Sequence, residues 1–423
     1  MAYSILSLDG GGSWALIQVK ILQQRYGATA LGHDILKKYD LVIANSGGSI
    51  VLAALCVNKS LDEIEALFLS QEILETIFVR NFTARLIENS EMLNDHDILP
   101  RFKTAEKIKG LKAQLGKNSK TLMTDLPALI GKVDLQIIIT GFDYDRERAV
   151  YFRSNKNSKL ETCNIMKAVG GASNEEFKTT TLLDAVHAST NAPVEFFDDP
   201  AELKHVFPDE PDRKSAKRRF WDGAVGGNNN PVVAGIIEAI ANGAIKSEIR
   251  VVSIGTGSTV LPVLYGDKGE SHPDQDWLVK IGKNEGTFQD IKKISTAIIS
   301  DPPDSATFLA HQILELPFQP TDPRLIRINP LLKPILTQIG VTDKYQWEKP
   351  GIGWLNNKLE HLFNMDMAVT HSDDMELINR MTEEYFDGHF ENQGIRIGGK
   401  YLDAILGHKK FGDALNDWNT WQP

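Results

Sequence analysis

Cysteine is scarce in this chain of 423 residues: Cys56 and Cys163 are its only two. Two thiols cannot make a disulfide framework, and without a CxxC pair or a Cys/His cluster they offer no zinc site. Cys56 lies in the apolar run Val51 to Val57 and reads as a buried structural thiol. Long apolar stretches are missing as well. Nothing approaches the roughly eighteen consecutive apolar residues of a membrane span. The N-terminus enters the apolar segment Tyr3 to Leu8 without the charged flank of a signal peptide. These absences predict a cytoplasmic protein whose membrane contact is peripheral, on the inner face. Positive charge is in deficit: 46 Lys and Arg stand against 56 Asp and Glu, a net charge of -10. That argues against a nucleic-acid polymer as the main partner, because phosphate binding needs concentrated cations.

What is present is an ordinary globular composition, 42% hydrophobic and 24% charged. It suffices for one large core with a cap, or for two domains. Apolar runs predict strands over Tyr3–Leu8, Leu41–Ala44, Asp134–Thr140, Arg148–Phe152, Phe220–Trp221 and Glu248–Ile254, with a late one at Leu325–Ile328. Helical spacing follows the first two. Ser60 and Glu63 form a capping box that opens a helix from Leu61 to about Leu74. Phe78, Phe82 and Leu86, at four-residue spacing, read as a core-facing stripe, with a lipid-facing lid as the alternative. Helices are also expected over Thr181–Thr190, after Pro231, over Met375–Tyr385 and over Lys400–Leu406. The alternation through residue 257 predicts an α/β fold with a largely parallel central sheet flanked by helices. Residues 1–257 would form the catalytic domain, and 258–423 a mainly helical C-terminal extension packed on it.

Three glycine-rich turns end strands, where open α/β sheets place their sites. The first, Asp9-Gly10-Gly11-Gly12-Ser13, can aim backbone amides at an anion or an oxyanion. The second, Ala44-Asn45-Ser46-Gly47-Gly48, fits a nucleophile elbow, which needs small neighbours around a strained serine; the Gly47 amide can join the oxyanion hole. The third, Asp222-Gly223-Ala224, holds a carboxylate at a strand end by small residues. Each alone also fits a plain turn or helix cap.

Together the turns resemble the patatin-like phospholipase family, with its patterns D-G-G-G-x-[KR]-G, G-x-S-x-G and D-G-[GA]. The resemblance covers roughly residues 4–257, and Ala188–Pro193 and Ser253–Gly257 also resemble family segments. It implies a three-layer fold and a lipid acyl hydrolase of phospholipase A or lysophospholipase type. Ser46 would be the nucleophile, Asp222 the base, and Gly10, Gly11 and Gly12 the oxyanion loop. Such a Ser–Asp dyad uses no histidine, metal or cofactor, and His187 reads as a structural helix residue. The partner would be a membrane or micellar lipid, with a regulatory ligand or protein activator as a further expectation.

The sequence departs from the pattern at Trp14, where the family has a basic residue, at Ala15, and at Ala44. These departures motivate one alternative, a catalytically weak binding or regulatory protein of the same fold. A sugar-kinase-like ATPase would need the first turn to sit in a hairpin, whereas residues 15–27 are helical in period. An ordinary Ser–Asp–His hydrolase would place its serine after more strands. The basic run Arg213–Arg219 reads as a solvated loop, with contact to anionic headgroups as the lesser reading.

Overall fold

The computed structural model describes residues 2–80, 101–154, 180–193, 196–205, 216–260, 263–264, 280–281, 302–317, 319, 321–333, 335–338, 345–348, 358–395 and 406–421. Phe82, Leu86, Cys163, residues 213–215 and most of the expected helix at 400–406 lie outside them.

The chain opens with strand β1 (Tyr3–Leu8), a short 3-10 turn and helix α1 (Leu16–Tyr26). Strand β2 (Leu41–Ala44) leads into helix α2 (Ser46–Cys56). The first glycine turn therefore feeds a helix and not a hairpin, which removes the ground for a sugar-kinase reading. Helix α3 (Leu61–Leu69) starts at the expected capping box. It stops at Ser70, whose hydroxyl accepts from the Ile73 amide and caps a separate helix, α4 (Gln71–Ile77). The single helix expected to Leu74 is thus two, because a serine that can cap the next turn competes with helix continuation. Helix α5 (Thr104–Leu115) follows, then β3 (Gln136–Asp143), β4 (Arg148–Arg153), helix α6 (Leu182–Ser189), β5 (Ala201–His205) and β6 (Ala216–Asp222). Helix α7 (Val232–Ala241), β7 (Ile249–Ile254), helix α8 (Pro302–Ile313) and β8 (Leu325–Ile328) complete the sheet and its cover. Three further helices follow: α9 (Leu359–Asn364), α10 (Ser372–Phe386) and α11 (Phe411–Asn419).

The eight strands form one sheet in the order β8-β7-β1-β2-β3-β6-β5, with β4 also on β3. The run β8 to β3 is parallel; β4 and β6 pair antiparallel with β3, and β5 antiparallel with β6. Alternate residues of the parallel strands enter two separate cores. Leu6, Leu8, Val42, Ala44, Val252 and Ile254 pack with α1, α2, α3 and α10 on one face. Ile5, Leu41, Ile43, Ile249 and Val251 pack with α7 and α8 on the other. A parallel sheet buried on both faces must read as continuous apolar runs, which these strands do. The late strand expected at Leu325–Ile328 is β8, and it forms the edge of the central sheet beside β7. Residues beyond 257 therefore add a strand to the core as well as helices around it.

Register sets the site. Leu8 lies opposite both Ala44 and Ile254, so the three parallel strands β1, β2 and β7 end level. β3 has only two edges. One pairs with β4 over residues 138–143; the other pairs with β2 over 136–139 and then with β6 over 141–143. β6 therefore runs head-on toward the end of β2. Asp222 pairs with Gly141, two places beyond the Ile139–Ala44 pair. Had β2 continued straight, Ser46 would occupy that place.

Candidate active site

The turn after β2 is tight. Ser46 has φ of 46°, one of few non-glycine residues in the left-handed region. Such a backbone costs roughly 1–3 kcal/mol and persists only when its surroundings fix it. The fixing is visible. The Ser46 amide donates to Ser189 Oγ at 2.9 Å, and its carbonyl accepts from Ser49 Oγ at 2.6 Å. Gly47 and Gly48 are required by close approach: a Cβ on Gly47 would lie 2.4 Å from the Gly12 carbonyl, and one on Gly48 2.6 Å from the Asp9 carbonyl. Ala44, fully buried at the strand end, keeps its methyl in the core.

Asp222 is buried beside this turn. Its Oδ1 accepts from Asn45 Nδ2 and from the Ala224 amide, both at 2.9 Å. The Ser46 side chain lies near enough to the carboxylate to lower its pKa, and the two residues line one cavity. Both of these bonds fall on Oδ1, which leaves Oδ2 the greater spare capacity to accept a proton. Burial raises the Asp222 carboxyl above the usual carboxylate range, and the Ala224 amide, Ser46, Asn45 and the Lys107 ammonium pull it partly back. Asn45 is itself oriented from behind, its Oδ1 accepting from Thr140 Oγ1 at 2.6 Å. Gly223 must lack a side chain, since a Cβ there would meet both Asn45 Oδ1 and Thr140 Oγ1 at 2.4 Å.

Lys107 of α5 is wholly buried behind the carboxylate. Its ammonium donates to the His187 carbonyl at 3.0 Å and to Asn191 Oδ1 at 2.7 Å, and it sits 4.3 Å from the Phe197 ring centroid. Asn191 in turn accepts the Asp222 amide on its carbonyl at 3.0 Å. Burial pulls the Lys107 pKa well below that of an ordinary lysine, and the Asp222 charge raises it again. His187 is buried on α6, its pKa depressed by burial and by Lys107. Among the described residues no histidine lines the cavity at Ser46.

The glycine loop closes the site from β1. Gly12 has φ of 56° and abuts Gly47. Gly10 was expected to offer its amide to the site, but that amide is spent on the Asn229 carbonyl at 2.8 Å. Its role is close approach: a Cβ on Gly10 would lie 2.2 Å from Asn229 Oδ1 and 3.0 Å from the Ser46 Cβ. Gly11, Gly12 and Gly47 line the Ser46 cavity, the last in the first turn of α2, where helix amides have no intrahelical partner.

Two distant segments hold the loop. Ser13 donates from its amide to the Met367 carbonyl at 2.9 Å and from its hydroxyl to the Val369 carbonyl at 2.6 Å. Trp14, at the family's basic position, donates from its indole to the Asp366 carbonyl at 2.8 Å. A cation is nevertheless present under the loop. Arg327 of β8 pairs with Asp9 at 2.7 Å, both side chains only 2–3% exposed, and donates to Ser253 Oγ at 2.8 Å. Asn45, Thr140, Ser189, Asn191, Lys107, Asn229 and Arg327 were not singled out from sequence. Asn45, Ser189 and Asn191 fall inside family-like segments, and Thr140 and Arg327 inside expected strands.

The basic run is not a loop where it is described. Lys217, Arg218 and Arg219 belong to β6 and pair with Glu202, Asp143 and Asp145 respectively. Among the described residues no cluster of His, Cys, Asp and Glu could hold a metal, and no helix is long and apolar enough to cross a membrane.

The family model Patatin-like phospholipase matches residues 6–236, from within β1 through the first half of α7. The chain belongs to the patatin-like phospholipase family. Membership supports lipid hydrolysis in general terms. Among solved structures the chain is similar to VipD from Legionella pneumophila, at 10% identity over 98% of this chain and 73% of that one, with a TM-score of 0.29. It is also similar to the type III effector protein ExoU, at 11% identity over 74% and 53%, with a TM-score of 0.23. A comparison with curated proteins gave no match.

Proposed function

We propose that this patatin-like phospholipase hydrolyses ester bonds of phospholipids or lysophospholipids through Ser46 and Asp222. The observation that carries the reading is that a strained, partly accessible serine and a buried carboxylate line one cavity together with Gly11, Gly12 and Gly47. The Ser46 oxygen attacks the ester carbonyl while its proton passes to Asp222. An ordinary aspartate is a feeble base for a hydroxyl. Burial raises the basicity of this one, and proximity supplies much of the remaining advantage. The oxyanion is stabilised by the amides of Gly11, Gly12 and Gly47. Collapse expels the alcohol, which takes the proton from Asp222 and leaves an acyl-Ser46. Water then attacks the acyl carbon and gives its proton to Asp222; Ser46 recovers a proton as fatty acid departs.

The substrate would be reached by peripheral contact with a membrane or micelle from the cytoplasm. Ser46→Ala and Asp222→Asn proteins, incubated with a lipid panel and analysed for free fatty acid by mass spectrometry, should release none above background. Fatty-acid release at the wild-type rate by a folded Ser46→Ala protein would refute the reading.

A further inference from the structure

Asn45 occupies the N-cap of the nucleophile helix α2, where an asparagine side chain ordinarily accepts from a helix amide. It makes no such bond. The side chain is instead turned into the protein, fully buried, and matched at both ends. Its Nδ2 donates to Asp222 Oδ1 at 2.9 Å and to Asn229 Oδ1 at 3.5 Å. Its Oδ1 accepts from Thr140 Oγ1 at 2.6 Å and from Ser189 Oγ at 3.5 Å. Turned end for end, the amide would put its carbonyl oxygen against a carboxylate oxygen and its N–H groups against two hydroxyl donors. Gly223 leaves room for the Thr140 bond, since a Cβ there would lie 2.4 Å from each of its two oxygens.

We infer that Asn45 is a positioning residue for ester hydrolysis: the short bond from Thr140 fixes which end of the amide meets Asp222, so the carboxylate meets a donor and stays the acceptor for the Ser46 proton. The inference rests on the hydrolase reading and adds to it a buried chain, Thr140 to Asn45 to Asp222, that reaches from β3 to the base. The hydroxyl matters because an asparagine serves either charge state. With its N–H toward Asp222 it favours the ionised carboxylate; with its carbonyl toward Asp222 it accepts from the protonated one. Thr140 selects the first. Among the described residues, Lys107 of α5 is the charged group that bears on Asp222, while Ser46 of α2 and the Ala224 amide bear on it uncharged. His187 of α6, its pKa depressed by burial, lies beside Lys107. Substituting Thr140 or Asn45 changes none of these. Neither residue lines the Ser46 cavity, so the effect falls on proton transfer and not on substrate binding.

The test is the acid limb of kcat/KM for p-nitrophenyl butyrate, followed from pH 4 to pH 9, with KM measured on the plateau. Thr140→Val keeps the side-chain shape and removes the donor; its limb should lie about half to one pH unit above that of wild type, with KM unchanged. Thr140→Ser keeps the hydroxyl and should restore the wild-type limb. Asn45→Asp sets an oxygen against Asp222 whichever way it turns, and two carboxylates so close hold one proton between them, so its limb should move up by more than about one unit. The position of a limb does not depend on how much of the protein is active, so partial misfolding does not mask it. A Thr140→Val limb level with wild type, a Thr140→Ser limb displaced as far as that of Thr140→Val, or an Asn45→Asp limb that stays in place overturns the inference and leaves the dyad standing. Failure of either Thr140 variant to turn over ester at any pH counts the same way. Hydrolysis persisting in Ser46→Ala, or no ester turned over by wild type, overturns the hydrolase reading itself and the positioning role with it.

Discussion

Replacing Arg327 by Met should damage the active site from behind, without touching a residue that faces the cavity. Arg327 and Asp9 are both almost fully buried and their charged atoms are 2.7 Å apart. Removing one partner of such a buried pair costs about 3–5 kcal/mol. Unfolding entropy scales to roughly 0.9 kcal/mol per kelvin for a chain of 423 residues, so the thermal midpoint should fall by about 3–6 °C. Asp9 also begins the glycine loop, and its amide donates to Ile254 at 3.0 Å. Shifting it moves Gly11 and Gly12 relative to Ser46, and a displacement near 1 Å can cost roughly 100-fold in turnover. The loss should fall on kcat more than on KM, because the amides act on the oxyanion. Asp9→Asn combined with Arg327→Met leaves no bare charge, so its midpoint should lie above that predicted by adding the two single losses. Melting curves and ester kinetics on the four proteins decide it. If Arg327→Met melts within 1 °C of wild type at full activity, or the two losses simply add, the loop does not depend on this pair.

Other consequences concern charge behind the base. The folded pKa of Asp222 is raised, chiefly by burial. The proposed mechanism needs the ionised form, so the acid limb of kcat/KM should lie above the ordinary aspartate pKa of ~3.9, with rates falling as pH drops through it. The stability sign is opposite. A raised pKa favours the fold most when the group is protonated, and that benefit is lost as pH rises through the folded value. Asp222→Asn should therefore melt no lower than wild type at neutral pH while losing activity, and melting curves at pH 5 and pH 8 should show wild type closer to the variant at the lower pH. Lys107→Met removes a cation that holds Asp222 ionised, so the acid limb should move to higher pH; a folded variant with an unmoved limb would show that Lys107 acts only as a packing group.

The chain of three turns was legible because each is local: a short apolar run, then glycine, with the functional residue at the strand end. Sequence alone did not give the direction of β6. Its basic residues look solvated by composition, yet Arg218 and Phe220 are buried while Lys217 and Arg219 are exposed, a period of two that marks a strand. The charge of Arg218 hid the pattern, because an arginine paired with Asp143 can occupy an inward position. The supporting shell was less legible still. Trp14 marked a missing cation, but the arginine beneath the loop comes from a four-residue strand more than 300 positions away. Nor does α5 announce that Lys107 is buried: its partners, Asn191 and the His187 carbonyl, are brought to it only by the packing of α6. The shared break at Ser70 and the committed Gly10 amide are likewise outcomes of competing hydrogen bonds, which pattern cannot rank.

The most direct measurement is covalent labelling of the folded protein with a fluorophosphonate, followed by mass analysis of its peptides. One adduct on the peptide carrying Ser46, absent from Ser46→Ala and strongly slowed in Asp222→Asn, is the predicted result. A protein that stays unlabelled at Ser46, or labels there equally fast without the carboxylate, would contradict the claim that these two side chains form a working dyad.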